Sequence, residues 1–169
     1  MSALRPTRSA SAVRDQGPAW GRPPARQPFL LSVDLVLALL DPAHALHDAA
    51  HRWFEGDGAI AWATCPLVEN SVIRICSHPS YPNSPGTSNI IAGMLDGLCN
   101  LPGHRFWPDS ISLRDPQHFR VARAMAWNQT SDIYLLGLAV AHGGRLATFD
   151  RRLDVDAVLG GADAIAIID

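Results

Sequence analysis

The chain has 169 residues, 14 basic and 16 acidic side chains and a formal charge of −2, a size that suits one globular domain. All 14 bases are Arg, which excludes a Walker-type phosphate loop, Schiff-base chemistry and a receiver domain that needs a Lys beside its aspartates. The apolar fraction of 47% excludes wholesale disorder, and no apolar run approaches the roughly 18 residues of a membrane span. Residues 1–28 hold five Arg against Asp15, five prolines and no apolar period. They are expected to form a mobile basic arm: a dispensable extension, an arm that attracts nucleic acid, or a targeting peptide. The remaining domain, residues 29–169, carries nine Arg against fifteen acids, a formal −6. Such a body is no passive electrostatic binder of nucleic acid, so any phosphate it handles should be handled through metal ions.

The domain alternates strand-like and helix-like segments. Residues 29–33 read as a buried strand, and residues 35–40 and 43–55 as helices broken at Asp41-Pro42. Residues 59–63 read as a second strand. Residues 66–77 follow as a helix with Pro66 in its first turn. Residues 78–86 are turn-rich, with Pro79, Pro82 and Pro85. Residues 87–99 are helical and 104–107 a strand. Residues 116–127 and 131–142 read as helices, the second ended by Gly143-Gly144. Residues 145–149 and 164–168 are the last strands. Strands separated by helices give an α/β fold, a parallel sheet with helices on both faces.

Ligands of open parallel sheets bind beyond the carboxyl ends of the strands. Asp34 and Asp150 each follow a strand, while Glu69 and Asp132 each open a helix. Plainer roles are available for three of them: Asp132 complementing a helix dipole, Asp150 capping a short helix, Glu69 facing solvent. Convergence would have a purpose. Two carboxylates at about 4 Å repel by roughly 4 kcal/mol at an effective dielectric of 20, so a cluster is tolerated when it is protonated or binds a cation. Oxygen-only donors select Mg²⁺ or Mn²⁺ over zinc, and such a site suits phosphodiester hydrolysis.

Several other signals favour plain structural roles. Cys65, Cys76 and Cys99 are odd in number, widely spaced and lack a C-x-x-C pair, which reads as reduced core residues of a cytosolic protein rather than zinc or disulfide ligands. His44, His47 and His51 share a helix face and read as a polar face with half-buried rings, not a transition-metal site. Trp53, Trp62, Trp107 and Trp127 read as core rather than base-stacking platforms. Asp154 and Asp156 read as a solvated loop. A hydrolytic triad lacks its G-x-S-x-G elbow.

Three segments in order resemble the PIN-domain ribonucleases, the VapC-type toxins of bacterial toxin–antitoxin pairs above all. They are Leu37-Ala38-Leu39-Leu40-Asp41-Pro42 with His47 and Ala50-His51-Arg52-Trp53-Phe54; Trp62-Ala63-Thr64-Cys65-Pro66-Leu67-Val68-Glu69-Asn70 with Ile73-Arg74; and Ser131-Asp132-Ile133-Tyr134-Leu135 with Arg145-Leu146-Ala147-Thr148-Phe149-Asp150. The resemblance, over residues 29–155, implies a three-layer α/β/α sandwich around about five parallel strands. It implies a cytoplasmic bacterial endoribonuclease that uses Mg²⁺ or Mn²⁺, an RNA substrate, a VapB-like antitoxin and a homodimer. Glu69, Asp132 and Asp150 match the family's acidic metal positions, and Ser131 the hydroxyl residue before the third acid. Thr148, two residues before Asp150 and so on the same strand face, is expected to line the site. Arg74 is a candidate phosphate ligand, with an ordinary surface role as the plainer reading.

The departure is at the first acid. Where the family has Asp-x-Asn, this chain has Ser32-Val33-Asp34. Either the carboxylate has moved two residues along and Asp34 completes the metal site, or the chain is a catalytically impaired PIN-fold module that keeps antitoxin or RNA binding.

Overall fold

The computed structural model describes residues 27–120 and 126–169. Five short strands, β1 (Phe29–Leu31), β2 (Trp62–Thr64), β3 (His104–Phe106), β4 (Arg145–Thr148) and β5 (Ile165–Ile167), form one sheet in the order β3-β2-β1-β4-β5. Every neighbouring pair is parallel, with Leu30 opposite Ala63 on one side and Leu146 on the other. Leu30, Leu31, Trp62, Ala63, Leu146 and Ala147 have no accessible surface. Burial on both faces is why these strands read as continuous apolar runs rather than alternating ones.

The helices are α1 (Val33–Leu40), α2 (His47–Gly56), α3 (Pro66–Cys76), α4 (Ser88–Cys99) and α5 (Thr130–Ala141). α1 packs against α2 and α3, α3 against α4, and α5 against β1 and β4. The buried side chains of these layers join in one core. The chain runs outward from β1 to β2 and β3, then returns to the other side of β1 for β4 and β5. The sheet order therefore reverses between β1 and β4, and a crevice opens there beyond the strand ends.

Local signals set the helix ends. Ser32 is the N-cap of α1, its hydroxyl accepting the Leu35 N–H at 3.3 Å. Pro66 opens α3, where a missing N–H costs nothing. α5 stops in a Schellman turn: Gly143 N–H reaches Val140 O, Gly144 N–H reaches Ala139 O, and Gly143 has φ +64°. Gly144 is needed for a second reason, since a Cβ there would meet Pro28 O at 2.5 Å and the Trp107 ring at 2.7 Å.

Three sequence expectations shift. The second strand starts at Trp62 because Gly58–Ile60 forms a 3-10 turn, against which Gly103 packs too closely for any side chain. The helix expected over 116–127 is not present at 116–120, where turns lead to an antiparallel bridge between Phe119 and Val158. Residues 121–125 of it lie outside the described residues. Phe119 is 1% exposed and lies against Gly137 of α5, so the segment serves as a plug rather than a helix. Trp127 is 90% exposed and does not join the core that buries Trp62 and Trp107. The expected basic arm, residues 1–28, lies outside the described residues up to residue 26.

The proline-rich segment after α3 is tied down by one acid. Asp41 is buried and accepts from the Ala43 N–H at 2.9 Å, the Tyr81 hydroxyl at 2.8 Å and the Asn83 amide at 3.0 Å. Burial alone would raise its pKa, but these donors outweigh it and hold the carboxyl below its ordinary value. Stability from this group is therefore present above the ordinary carboxylate range and lost as the pH falls through the lowered pKa. Tyr81→Phe removes one donor to a charged acceptor and should cost about 1.5–3 kcal/mol in denaturant unfolding at neutral pH. The difference should shrink in acid as Asp41 protonates.

Candidate active site

Each candidate acid is placed by the element beside it. Asp34 lies in the first turn of α1, immediately past β1. Asp150 lies two residues past β4, across the crevice where the sheet order reverses. Asp132 lies in the first turn of α5, the helix that leads down into β4. These three interact. Asp132 is raised to about 6, by burial first and then by the charges of Asp34 and Asp150. Asp34 presents surface to solvent, yet crowding protein desolvates its carboxyl and raises its pKa. His44 pulls it the other way and Asp150 adds to the rise.

Asp150 is held from two sides. Its N–H donates to Thr148 Oγ1 at 3.1 Å, and its Oδ1 accepts the Arg152 N–H at 2.8 Å. Thr148 is 1% exposed; its hydroxyl shapes the turn that carries the acid. Ser32 has no accessible surface, and its hydroxyl is committed to the helix cap. The side chain at the displaced family position thus does local structural work, and Asp34 two residues on is the one that meets the other acids.

Glu69 is oriented differently. It lies in the first turn of α3, where Thr64 Oγ1 donates to its Oε1 at 2.6 Å. Thr64 Oγ1 is also 2.8 Å from His104 Nε2 and 3.9 Å from Cys99 Sγ. The carboxylates that raise Asp132 are Asp34 and Asp150, not Glu69. The structure therefore brings three of the four expected acids into mutual charge contact and seats the fourth in a cluster on the β2–β3 side. His104 is lowered by burial first, with Glu69 and a backbone bond at Cys99 opposing, so its ring is neutral near neutral pH.

Arg74 and Ser131, the candidate substrate contacts, line one cleft of about 460 Å³ together with Asn70 and Asp109. Arg74 also borders a second, more open cleft of about 720 Å³ with Glu69 and Phe106. Asp109 was not among the sequence candidates. It accepts hydrogen bonds from Tyr134 and Cys65. The signal that could have found it is shared with Asp34: each is an acid three residues past the end of a strand. Of the three histidines expected to share a helix face, only His47 and His51 do; His44 precedes α2, and its Nδ1 accepts the Leu46 N–H at 3.1 Å. His47 Nδ1 reaches Ala38 O at 2.8 Å, His51 Nε2 reaches Leu39 O at 3.1 Å, and the two rings lie 4.3 Å apart.

Comparison with known proteins identifies the family and the fold. The family model described as PIN domain matches residues 35–157. Ribonuclease VapC44 of Mycobacterium tuberculosis is 37% identical over 131 residues, 78% of this chain and 92% of that protein. Two solved structures share the fold. Mycobacterium tuberculosis VapC20, described as a toxin that cleaves the sarcin–ricin loop, matches with a TM-score of 0.53 and 13% identity over 78% of this chain and 96% of its own. Rickettsia felis VapBC2, bound to a DNA fragment from its promoter, matches with a TM-score of 0.52 and 11% identity over 83% and 98%. A switch-point crevice lined by aspartates, a family model spanning most of the domain and a relative aligned over nearly its full length have one common reading: the chain belongs to the PIN-domain family, among its VapC-type ribonucleases.

Proposed function

We propose that this protein is a metal-dependent endoribonuclease of the bacterial cytoplasm, the toxin of a toxin–antitoxin pair, with Asp34, Asp132 and Asp150 as its Mg²⁺- or Mn²⁺-binding carboxylates. The observation that carries this reading is the charge coupling of the three aspartates at the β1–β4 crevice. The donor set fits a hard divalent ion, because every contributed atom is a carboxylate oxygen and the like charges repel until a cation joins them. When bound, such an ion supplies charge neutralisation at the phosphate and lowers the pKa of water. Glu69, the fourth acid the family pattern supplies, opens α3 past the end of β2 with its carboxylate held by Thr64.

The chain's own groups have separable roles. Asp132 and Asp150 bind, and Thr148 fixes the turn that aims Asp150. Asp34 replaces the carboxylate that Ser32 does not provide. Arg74 and Ser131 receive the RNA backbone in the cleft beside Asp132, Arg74 as a point of positive charge on an otherwise acidic body. No protein nucleophile is required, since water attacks phosphorus in line and the leaving 3′-oxygen takes a proton. That regiochemistry gives 3′-hydroxyl and 5′-phosphate ends. A VapB-like antitoxin would silence the site by covering the crevice, and a homodimer is the expected resting assembly. VapC20 and VapBC2 are the structural relatives that support this reading of substrate and partner.

Purified protein with Mn²⁺ should cleave RNA, and Asp132→Asn should lower the rate by at least about a hundredfold, or about 2.7 kcal/mol. Equal cleavage by that variant would reject the assignment. RNA binding without cleavage by the unaltered chain would assign it instead to the impaired module that Ser32 suggests.

The titration of Asp132 gives an independent check. Its raised pKa means the folded state holds a proton that the unfolded state has released between about pH 4 and 6, so this group disfavours the fold increasingly as pH rises through that window. In metal-free protein, carboxyl NMR should show Asp132 titrating near 6, and Asp150→Asn should move it down. Mn²⁺ affinity should fall as pH drops below about 6, because protons then compete for the same oxygens.

A further inference from the structure

The cleft of about 460 Å³ beside Asp132 holds an acid that the nuclease chemistry does not use. Asp109 is exposed and lines this cleft with Pro66, Leu67, Asn70, Arg74 and Ser131. It stands apart from the crevice acids, since the carboxylates that raise Asp132 are Asp34 and Asp150. The chain sets its position. Trp107, buried immediately past β3, gives its N–H to Thr64 O at 2.9 Å, and Pro108 fixes φ between that anchor and the acid. Tyr134 of α5 and Cys65 both donate hydrogen bonds to Asp109. Burial first, with Asp109 adding to it, pushes each of these donors up to about 12, so both keep their protons near neutral pH.

A carboxylate offers about four lone-pair sites. Tyr134 and Cys65 take two, and about two remain for a ligand. A negative charge in a cleft that receives RNA opposes binding of the phosphates, and a phosphate chain brings no donors to offset it. A nucleobase does. Guanine alone among the RNA bases presents two adjacent N–H donors, N1–H and N2–H, on its Watson–Crick edge. Adenine and cytosine place a ring-nitrogen acceptor beside the amino group, and uracil flanks its N3–H with two carbonyls. A carboxylate facing any of these three meets lone pairs as well as a donor.

We propose that Asp109 is a specificity-determining residue that selects an unpaired guanine beside the scissile phosphate, an inference that rests on the nuclease reading of this site. Guanine N1–H and N2–H donate to the Asp109 carboxylate, and the side-chain amide of Asn70 supplies a donor for O6 in the same cleft. Pro66 and Leu67 offer apolar surface to the ring, while Arg74 stays with the phosphate. The cleft volume falls within the roughly 300–1,000 Å³ of small-ligand pockets. Ser131 joins recognition to chemistry, because it lines the cleft and immediately precedes Asp132 in the first turn of α5. A base held here therefore carries its own phosphate toward the aspartates. Recognition of an unstacked base by its Watson–Crick edge is the ordinary mode of sequence reading in single-stranded RNA.

Short oligouridylates carrying one central guanosine, inosine, adenosine or cytidine test it on the full chain, with binding read in chelator and cleavage read with Mn²⁺. The guanosine strand should bind about 5- to 150-fold more tightly than the adenosine or cytidine strand, the worth of one bidentate base contact, and be cut beside the guanosine. Inosine keeps N1–H but lacks the amino group, so its strand should fall between, a comparison that needs no altered protein. Asp109→Asn should erase the guanosine preference without weakening the binding of plain oligouridylate, because it removes a negative charge from a cleft that receives phosphates. Equal weakening of every strand by that variant marks a structural role and overturns the proposal, as does a preference that survives it or a protein that neither binds nor cuts any strand. Cleavage that treats guanosine like the other bases overturns the base assignment and leaves the nuclease reading standing. Guanosine preference in binding with no cleavage does the reverse.

Discussion

The inner strands of this parallel sheet, covered on both faces, leave little room for charge between their ends. With Leu30, Leu31, Ala63, Leu146 and Ala147 fully buried, charged groups there stand where strands end and helices begin, whereas the edge strand β3 carries His104 and Arg105 along its length. The order β3-β2-β1-β4-β5 then selects one of those ends, because the sheet order reverses between β1 and β4 and a crevice opens there. Asp34 and Asp150 border that space, and Asp132 enters it from the helix that leads into β4. The acids are therefore consequences of topology before they are a site. Their chemistry follows from being forced near each other in a partly desolvated crevice.

Much of this was legible in the sequence because the signals were local. Pro66, Ser32 and Gly143-Gly144 mark helix ends by backbone physics that needs no tertiary information. The apolar runs at β1, β4 and β5 reveal burial on both faces. The helix expected over 116–127 fails at its start for the opposite reason. Phe119 has helical spacing in the sequence, but Gly137 of α5 offers a flat place for its ring, and that long-range contact overrides the local pattern. Trp127 shows the same limit, since composition says that a tryptophan is apolar but not that its surroundings are open.

The candidate site divides along the same line. Position past a strand end was enough to single out Asp34 and Asp150, and the first turn of a helix enough for Asp132. Where the fourth acid faces was not legible. Glu69 has the same helical placement as Asp132, yet Thr64, one of the few buried hydroxyls, engages it at 2.6 Å. That contact depends on β2 pairing with β3, which brings His104 and Thr64 together. Asp109 escaped notice because its hydrogen-bond partners, Tyr134 and Cys65, are distant in sequence.

On the proposed reading, the turn after β4 bears on how readily the crevice would accept an ion. Asp150 has its N–H on Thr148 and one carboxylate oxygen on the Arg152 N–H, so its rotamer and its backbone are both set before any ligand arrives. The remaining oxygen is the one the proposed ion would use. A ligand atom immobilised in this way surrenders little further rotational freedom on complexation, and exchange of one ion for another needs no rearrangement of the main chain at this corner.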